Sequence, residues 1–235
     1  MPVLFEATHE TGDLSEYDSY VTGSQVTVNA SAAMAGTSLG KEMALTNTSY
    51  GIKSFVSTGE QLHVRFYINR DNETQANGEE HRSVLQFSNN DQILFMLGTN
   101  GSGKYGRLAL KNDGRTSTSW GVQTAWNAGA QYVEIVIYKA DTDSSADAYG
   151  EWYSNGVLME RSPASGGIDL YDDWPDEINF GALYPDASTS GPLYLDQLKI
   201  ADDNAMIGPH SASTSGYRSR YDLSGHRDFR GRYAV

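Results

Sequence analysis

The 235-residue chain contains no cysteine, which excludes disulfide staples, thiolate metal sites and cysteine nucleophiles. No apolar run approaches about 18 residues, so no stretch reads as a membrane-spanning helix. Helical periodicity is almost absent. With 24 Gly, 15 Tyr and only 6 Pro, the composition favours strands and turns. Basic residues are in the minority: 17 Lys and Arg face 30 Asp and Glu, a net charge of −13. That balance disfavours nucleic acid as a partner. The opening Met1-Pro-Val-Leu-Phe-Glu6 enters a strand at once, without the basic-then-apolar order of a secretory signal. The five histidines, at 9, 63, 81, 210 and 226, show no metal-ligand spacing.

A hydrophobic content of 39% supports one large core, and all-β domains of this length often run undivided. Residues 61–69 alternate most cleanly: Leu62, Val64, Phe66 and Ile68 on one face, His63, Arg65, Tyr67 and Asn69 on the other. Residues 82–87, 92–97 and 107–111 read as a three-strand meander. Residues 132–138, apolar on both sides, read as a central strand. An acidic loop, 141–147, leads to two short strands around Asn155-Gly156, a strong hairpin dipeptide. Residues 191–200 form the closing strand, with Tyr194, Asp196, Leu198 and Ile200 on one face. Short strands at this spacing predict an all-β fold, two packed antiparallel sheets.

Charge is uneven along the chain. From residue 209 to 235 there are five Arg against two Asp, which leaves this segment at +3 and the remainder at −16. Its Ser, Gly, Arg and Tyr composition carries little apolar periodicity and does not order by itself. The expected division is therefore a sandwich over 1–208 and an extended basic tail over 209–235. Tyr217, Tyr221, Phe229 and Tyr233 are suited to anchor that tail, with Arg218, Arg220, Arg227, Arg230 and Arg232 pairing to acidic surface.

Gly98-Thr-Asn-Gly-Ser-Gly-Lys104 matches seven positions of a phosphate-binding loop. It fails at the eighth, Tyr105, and it precedes a strand where the loop requires a helix. A Gly-rich hairpin connection is the expectation. Trp120, Trp126 and Trp174 fall in predicted loops beside Gly, Asn or Asp, with Tyr105 and Tyr184 similarly placed. Exposed aromatics of this kind stack on sugar faces, and they also serve as core lids. Trp152 falls in a strand and is expected in the core.

The strand, acidic loop, strand, Asn-Gly and strand order, with one Asp in a closing strand, resembles concanavalin A-like (laminin G-like) jelly-roll domains. The resemblance covers roughly residues 3–207 and is one of pattern. It implies a two-sheet jelly roll with a structural calcium between first and last strands, for which the matching residues are Glu6 and Asp196. The bland account of Asp196 is a carboxylate that accepts backbone N–H groups. Polysaccharide lyases of this fold use His, Tyr, Arg and Gln on a sheet face, which draws attention to His63, Arg65 and Tyr67; the surrounding motifs are absent. The alternating acids of related glycosidases are absent from the strands as well. The resemblance thus implies a non-catalytic role. An acidic jelly roll followed by a basic tail is similar to virion components of tailed phages, capsid decorations or fibre modules. Other virion proteins or further copies of the chain are then the expected partners through the tail, with glycan as a ligand. A carbohydrate-binding lectin module and a polysaccharide hydrolase or lyase are the alternatives, with an extracellular location as the alternative to the virion.

Overall fold

The computed structural model describes residues 2–22, 26–45, 48–74, 80–87, 93–183, 189–202 and 204–210, with side chains of 22 and 80–83 left aside. Its early strands are β1 (Val3–Ala7), β2 (Ser19–Thr22), β3 (Val26–Asn29), β4 (Gly40–Ala44), β5 (Ser49–Ser54) and β6 (Gln61–Asn69). The middle of the chain gives β7 (Glu80–Phe87), β8 (Ile93–Asn100), β9 (Gly103–Lys111), β10 (Thr118–Trp120) and β11 (Thr124–Ala125). Then follow β12 (Gln131–Tyr138), β13 (Tyr149–Ser154), β14 (Val157–Ser162), β15 (Glu177–Ala182) and β16 (Pro192–Ala201). Two antiparallel sheets result. One runs β14-β13-β12-β6-β16-β4-β3, with β1 also on β16; the other runs β10-β9-β8-β7-β15-β5-β2, with β11 on β9.

The alternation in β6 does what its pattern dictates. Leu62, Val64, Phe66 and Ile68 are fully buried between the sheets, each worth roughly 1.5–3 kcal/mol relative to exposure. Phe66 meets Phe95 and Phe180 edge-on, with centroids 6.0 and 5.2 Å apart. Trp152 is in the core as expected, 5.1 Å from Phe95. Asn155 and Gly156 both have positive φ, 49° and 80°, the turn that matches strand twist in a two-residue hairpin.

Regular alternation breaks in β16. Gln197 takes φ 49° and the register shifts between Asp196 and Lys199. Asp196 is opposite Tyr67 and Ile200 is opposite Val64, residues on opposite faces of β6. The face expected to hold Asp196, Leu198 and Ile200 together is therefore divided by a bulge. The irregularity lies where β16 passes from pairing with β4 (residues 192–195) to pairing with β1 (residues 198–201).

A charged side chain of β4 points into the core. Lys41 is 1% exposed; its Nζ donates to the Phe180 carbonyl at 2.9 Å and lies over the Tyr17 and Phe180 rings at 5.0 and 4.5 Å. Desolvation lowers its ammonium from the ordinary 10.5 to about 7.

Candidate functional site

The polar face of β6 was expected to be open, and it is not. His63, Arg65 and Tyr67 are 2%, 1% and 8% exposed. The cover is the segment that follows β16. Glu134, opposite Arg65 on β12, accepts the amides of Ile207 at 2.6 Å and Gly208 at 3.0 Å, and it also meets His63 Nδ1 at 3.2 Å. The His210 amide donates to the Tyr67 hydroxyl at 2.7 Å. Residues 204–210 thus form a strap across the middle of the outer face. The strap also extends the packed body to His210, two residues past the expected boundary at 208.

Beyond the strap the same face stays open at the ends of β12 and β13. Antiparallel pairing sets Tyr138 opposite Tyr149, and their rings stack at 4.2 Å and 17°. The Arg161 guanidinium lies 4.0 Å from the Tyr149 ring on the β14 side. Tyr153 donates to Glu151 at 2.6 Å. A cleft of about 380 Å³ is bordered by Glu60, Gln61, Tyr138, Lys139, Asp141, Asp147 and Tyr149. Its acidic wall is a folded loop: Asp147 Oδ1 accepts the Asp141 amide at 3.0 Å and the Ser145 hydroxyl at 2.8 Å. Those bonds hold the Asp147 carboxyl below its usual range. Partial burial and nearby Glu151 push the Tyr138 phenol up to about 12. Lys139 turns its ammonium onto Tyr171 and Trp174, 4.2 and 5.7 Å from the ring centres. Trp174 is pinned in turn by its indole N–H on Ser57 Oγ at 3.0 Å.

The aromatics expected to bind glycan do not converge. Trp120 is exposed at 45%, but it ends β10, the edge strand of the other sheet, beneath the Arg107 guanidinium at 4.3 Å. Trp126 is half-buried and stacks on Trp152 at 6.2 Å. Tyr105 is on β9 and 2% exposed, not in a loop. Its cross-strand partner is Gly98, where a Cβ would fall 2.3 Å from the ring; the glycine makes room for the tyrosine to turn inward. Among the described residues of this set, Trp174 alone reaches the cleft region, through Lys139. Tyr184 lies outside the described residues, as do Tyr217, Arg218, Arg220, Tyr221, Arg227, Phe229, Arg230, Arg232 and Tyr233.

The first- and last-strand carboxylates do not fit a calcium ion. Asp196 is fully buried and its oxygens face donors: the amides of Met34 at 2.9 Å and Gln197 at 2.8 Å, and the hydroxyl of Thr37 at 2.5 Å. His9 Nδ1 stands 3.5 Å from Oδ1. A cation there would confront N–H and O–H protons where calcium requires oxygen lone pairs. Glu6 is exposed, opposite Lys199 on β16, with the ammonium 3.5 Å from its carboxylate. Asp196 thus has the role of a buried carboxylate satisfied by hydrogen bonds.

No family model matches this sequence, and no curated protein matches it. Solved structures do. An alginate lyase in complex with an alginate trisaccharide aligns at TM-score 0.59 over 86% of this chain and 99% of its own, with 10% identity. The globular domain of T. cruzi calreticulin aligns at 0.54 over 86% and 89%, with 12% identity. A sialidase aligns at 0.51 over 86% of this chain and 19% of its own, also at 12% identity. The fold is a jelly-roll sandwich. At these identities the likeness is one of architecture, and function has to be argued from the site.

Tyr138 and Tyr149 were not singled out from the sequence, although a signal existed. A strand ending at 138, an acidic loop and a strand beginning near 150 form a hairpin, and counting back from its loop sets two tyrosines side by side.

Proposed function

We propose that this protein binds glycan in the cleft at Tyr138 and Tyr149, and that it does so without transforming it. The observation that carries the reading is the stacked tyrosine pair beside a carboxylate-lined cleft, on a sheet face whose middle is covered by the strap. Sugar rings present C–H faces to aromatics and hydroxyls to carboxylates and amides, and Gln61, Asp141 and Asp147 border the same space. A binding role is favoured over catalysis by the strap. The His, Arg and Tyr that could serve a lyase are held under residues 204–210, away from a polymer lying on the surface.

The tail begins where the strap ends, at His210 beside Tyr67. We assign residues 211–235 to docking on another virion protein or another copy of this chain, on the ground of their basic, aromatic composition.

Tyr149→Ala removes the ring on which Tyr138 is stacked and should weaken binding of a cognate oligosaccharide about thirtyfold, the loss expected when a central aromatic anchor loses its support. Trp120→Ala should leave affinity unchanged. Titration calorimetry against a glycan selected on an array reads both. Undiminished binding by the Tyr138→Ala/Tyr149→Ala double variant would remove the cleft from consideration.

A further inference from the structure

We infer that the cleft selects glycans carrying free amino groups, such as polymers of unacetylated hexosamine, over neutral and acidic ones. This rests on the glycan-binding reading and adds the charge of the ligand. Three carboxylates border the cleft, Glu60, Asp141 and Asp147, against one ammonium, Lys139. That ammonium is spent on the Tyr171 and Trp174 rings. The nearest guanidinium, Arg161, covers the Tyr149 ring and donates to the Gly166 carbonyl at 3.1 Å. Neither cation is turned to neutralise the acidic wall.

Behind that wall the carboxylates act on one another. Asp143 is the main cause that raises the Asp172 carboxyl above its usual range, with contributions from Asp113 and Asp169. Asp169 is raised by desolvation first and then by Asp113, Asp143 and Asp147. Clustered like charges that hold protons more tightly also draw any other cation. A sugar ammonium entering beside Asp141 and Asp147 relieves this repulsion, and the Tyr138 ring, which borders the cleft with Tyr149 stacked behind it, favours a cation as well. A uronate would bring a fourth negative charge to the same wall.

The test uses the full chain and three hexasaccharides: β-1,4-linked glucosamine, its fully N-acetylated counterpart, and alginate. Calorimetry at a pH where the amine is charged should give the glucosamine oligomer about threefold to tenfold tighter binding than the acetylated one, as expected of exposed charge contacts. Alginate should bind most weakly. The preference should shrink in high salt and fall toward unity in Asp141→Asn/Asp147→Asn. Equal or tighter binding of the acetylated oligomer overturns the charge assignment and leaves the cleft standing. So does alginate binding that is lost in Tyr149→Ala, including binding that appears only with added calcium. Failure of all three, with no neutral glycan bound on an array, overturns the glycan reading together with this one.

Discussion

Replacing Glu134 by alanine is expected to lower folding stability by about 3–5 kcal/mol and to free residues 204–210 from the sheet. The carboxylate is fully buried and meets three nitrogens, the Ile207 and Gly208 amides and His63 Nδ1. Alanine leaves those groups without an acceptor and opens space above Arg65. Denaturant unfolding reads the first effect. Hydrogen exchange at the Ile207 and Gly208 amides reads the second, and both should exchange far faster than in the parent. Glu134→Gln keeps one acceptor oxygen and should fall between the two. Unchanged exchange at both amides in the alanine variant would show that the strap is held by something other than this carboxylate.

The second large effect concerns pH. Stability should pass through a minimum near neutrality, because two buried groups titrate there in opposite senses. Lys41 has its ammonium lowered from 10.5 to about 7 by desolvation. The unfolded chain therefore holds the extra proton between these values, and stability rises with pH across that window. Below about pH 7 the folded protein carries the buried charge, at a cost on the order of 5 kcal/mol. Glu160 accepts the Trp152 indole N–H at 2.8 Å and the Leu108 amide at 3.2 Å. Burial nonetheless pushes its carboxyl from 4.5 up to about 7. Here the folded chain holds the extra proton, so stability present below pH 4.5 is lost as pH rises through 7. Lys41→Met should abolish the alkaline rise and stabilise the protein at pH 7 by about 1–4 kcal/mol. Glu160→Gln should abolish the acid-side fall. Chemical denaturation from pH 5 to 10 measures both limbs, and a parent curve that is flat from 7 to 10 would refute the account of Lys41.

Strands were legible in the sequence because alternation is a local property. The inner face of β6, the meander β7-β8-β9 and the Asn155-Gly156 hairpin all follow from neighbours a few residues apart. What the sequence hid was set by distant chain. The polar face of β6 reads as solvated, yet a segment about 140 residues later covers it, and nothing in local periodicity announces such a roof. The account of Asp196 as an acceptor of backbone N–H groups was one of the two that the sequence allowed, while the bulge beside it was invisible because Gln197 has no composition that marks a positive φ. Tyr105 looked like a loop aromatic until Gly98 was seen to face it across a strand pair. The cleft itself was half legible: its acidic loop was recognised, and the tyrosines flanking that loop were passed over as strand residues.

The position of β6 also bears on how the protein is made. It sits between β12 and β16, both of which are synthesised after nearly the whole of the second sheet. During translation β6 therefore waits with both backbone edges bare, and such delayed, non-local pairing is slow and open to aggregation. A strand reading Leu62, Val64, Phe66, Ile68 on alternate positions is the kind that seeds it. His63 and Arg65, set between those apolar residues, interrupt the run with a polar ring and a charge in the manner of gatekeepers. On this account Arg65 keeps the nascent strand soluble during synthesis, before the strap arrives to close over it.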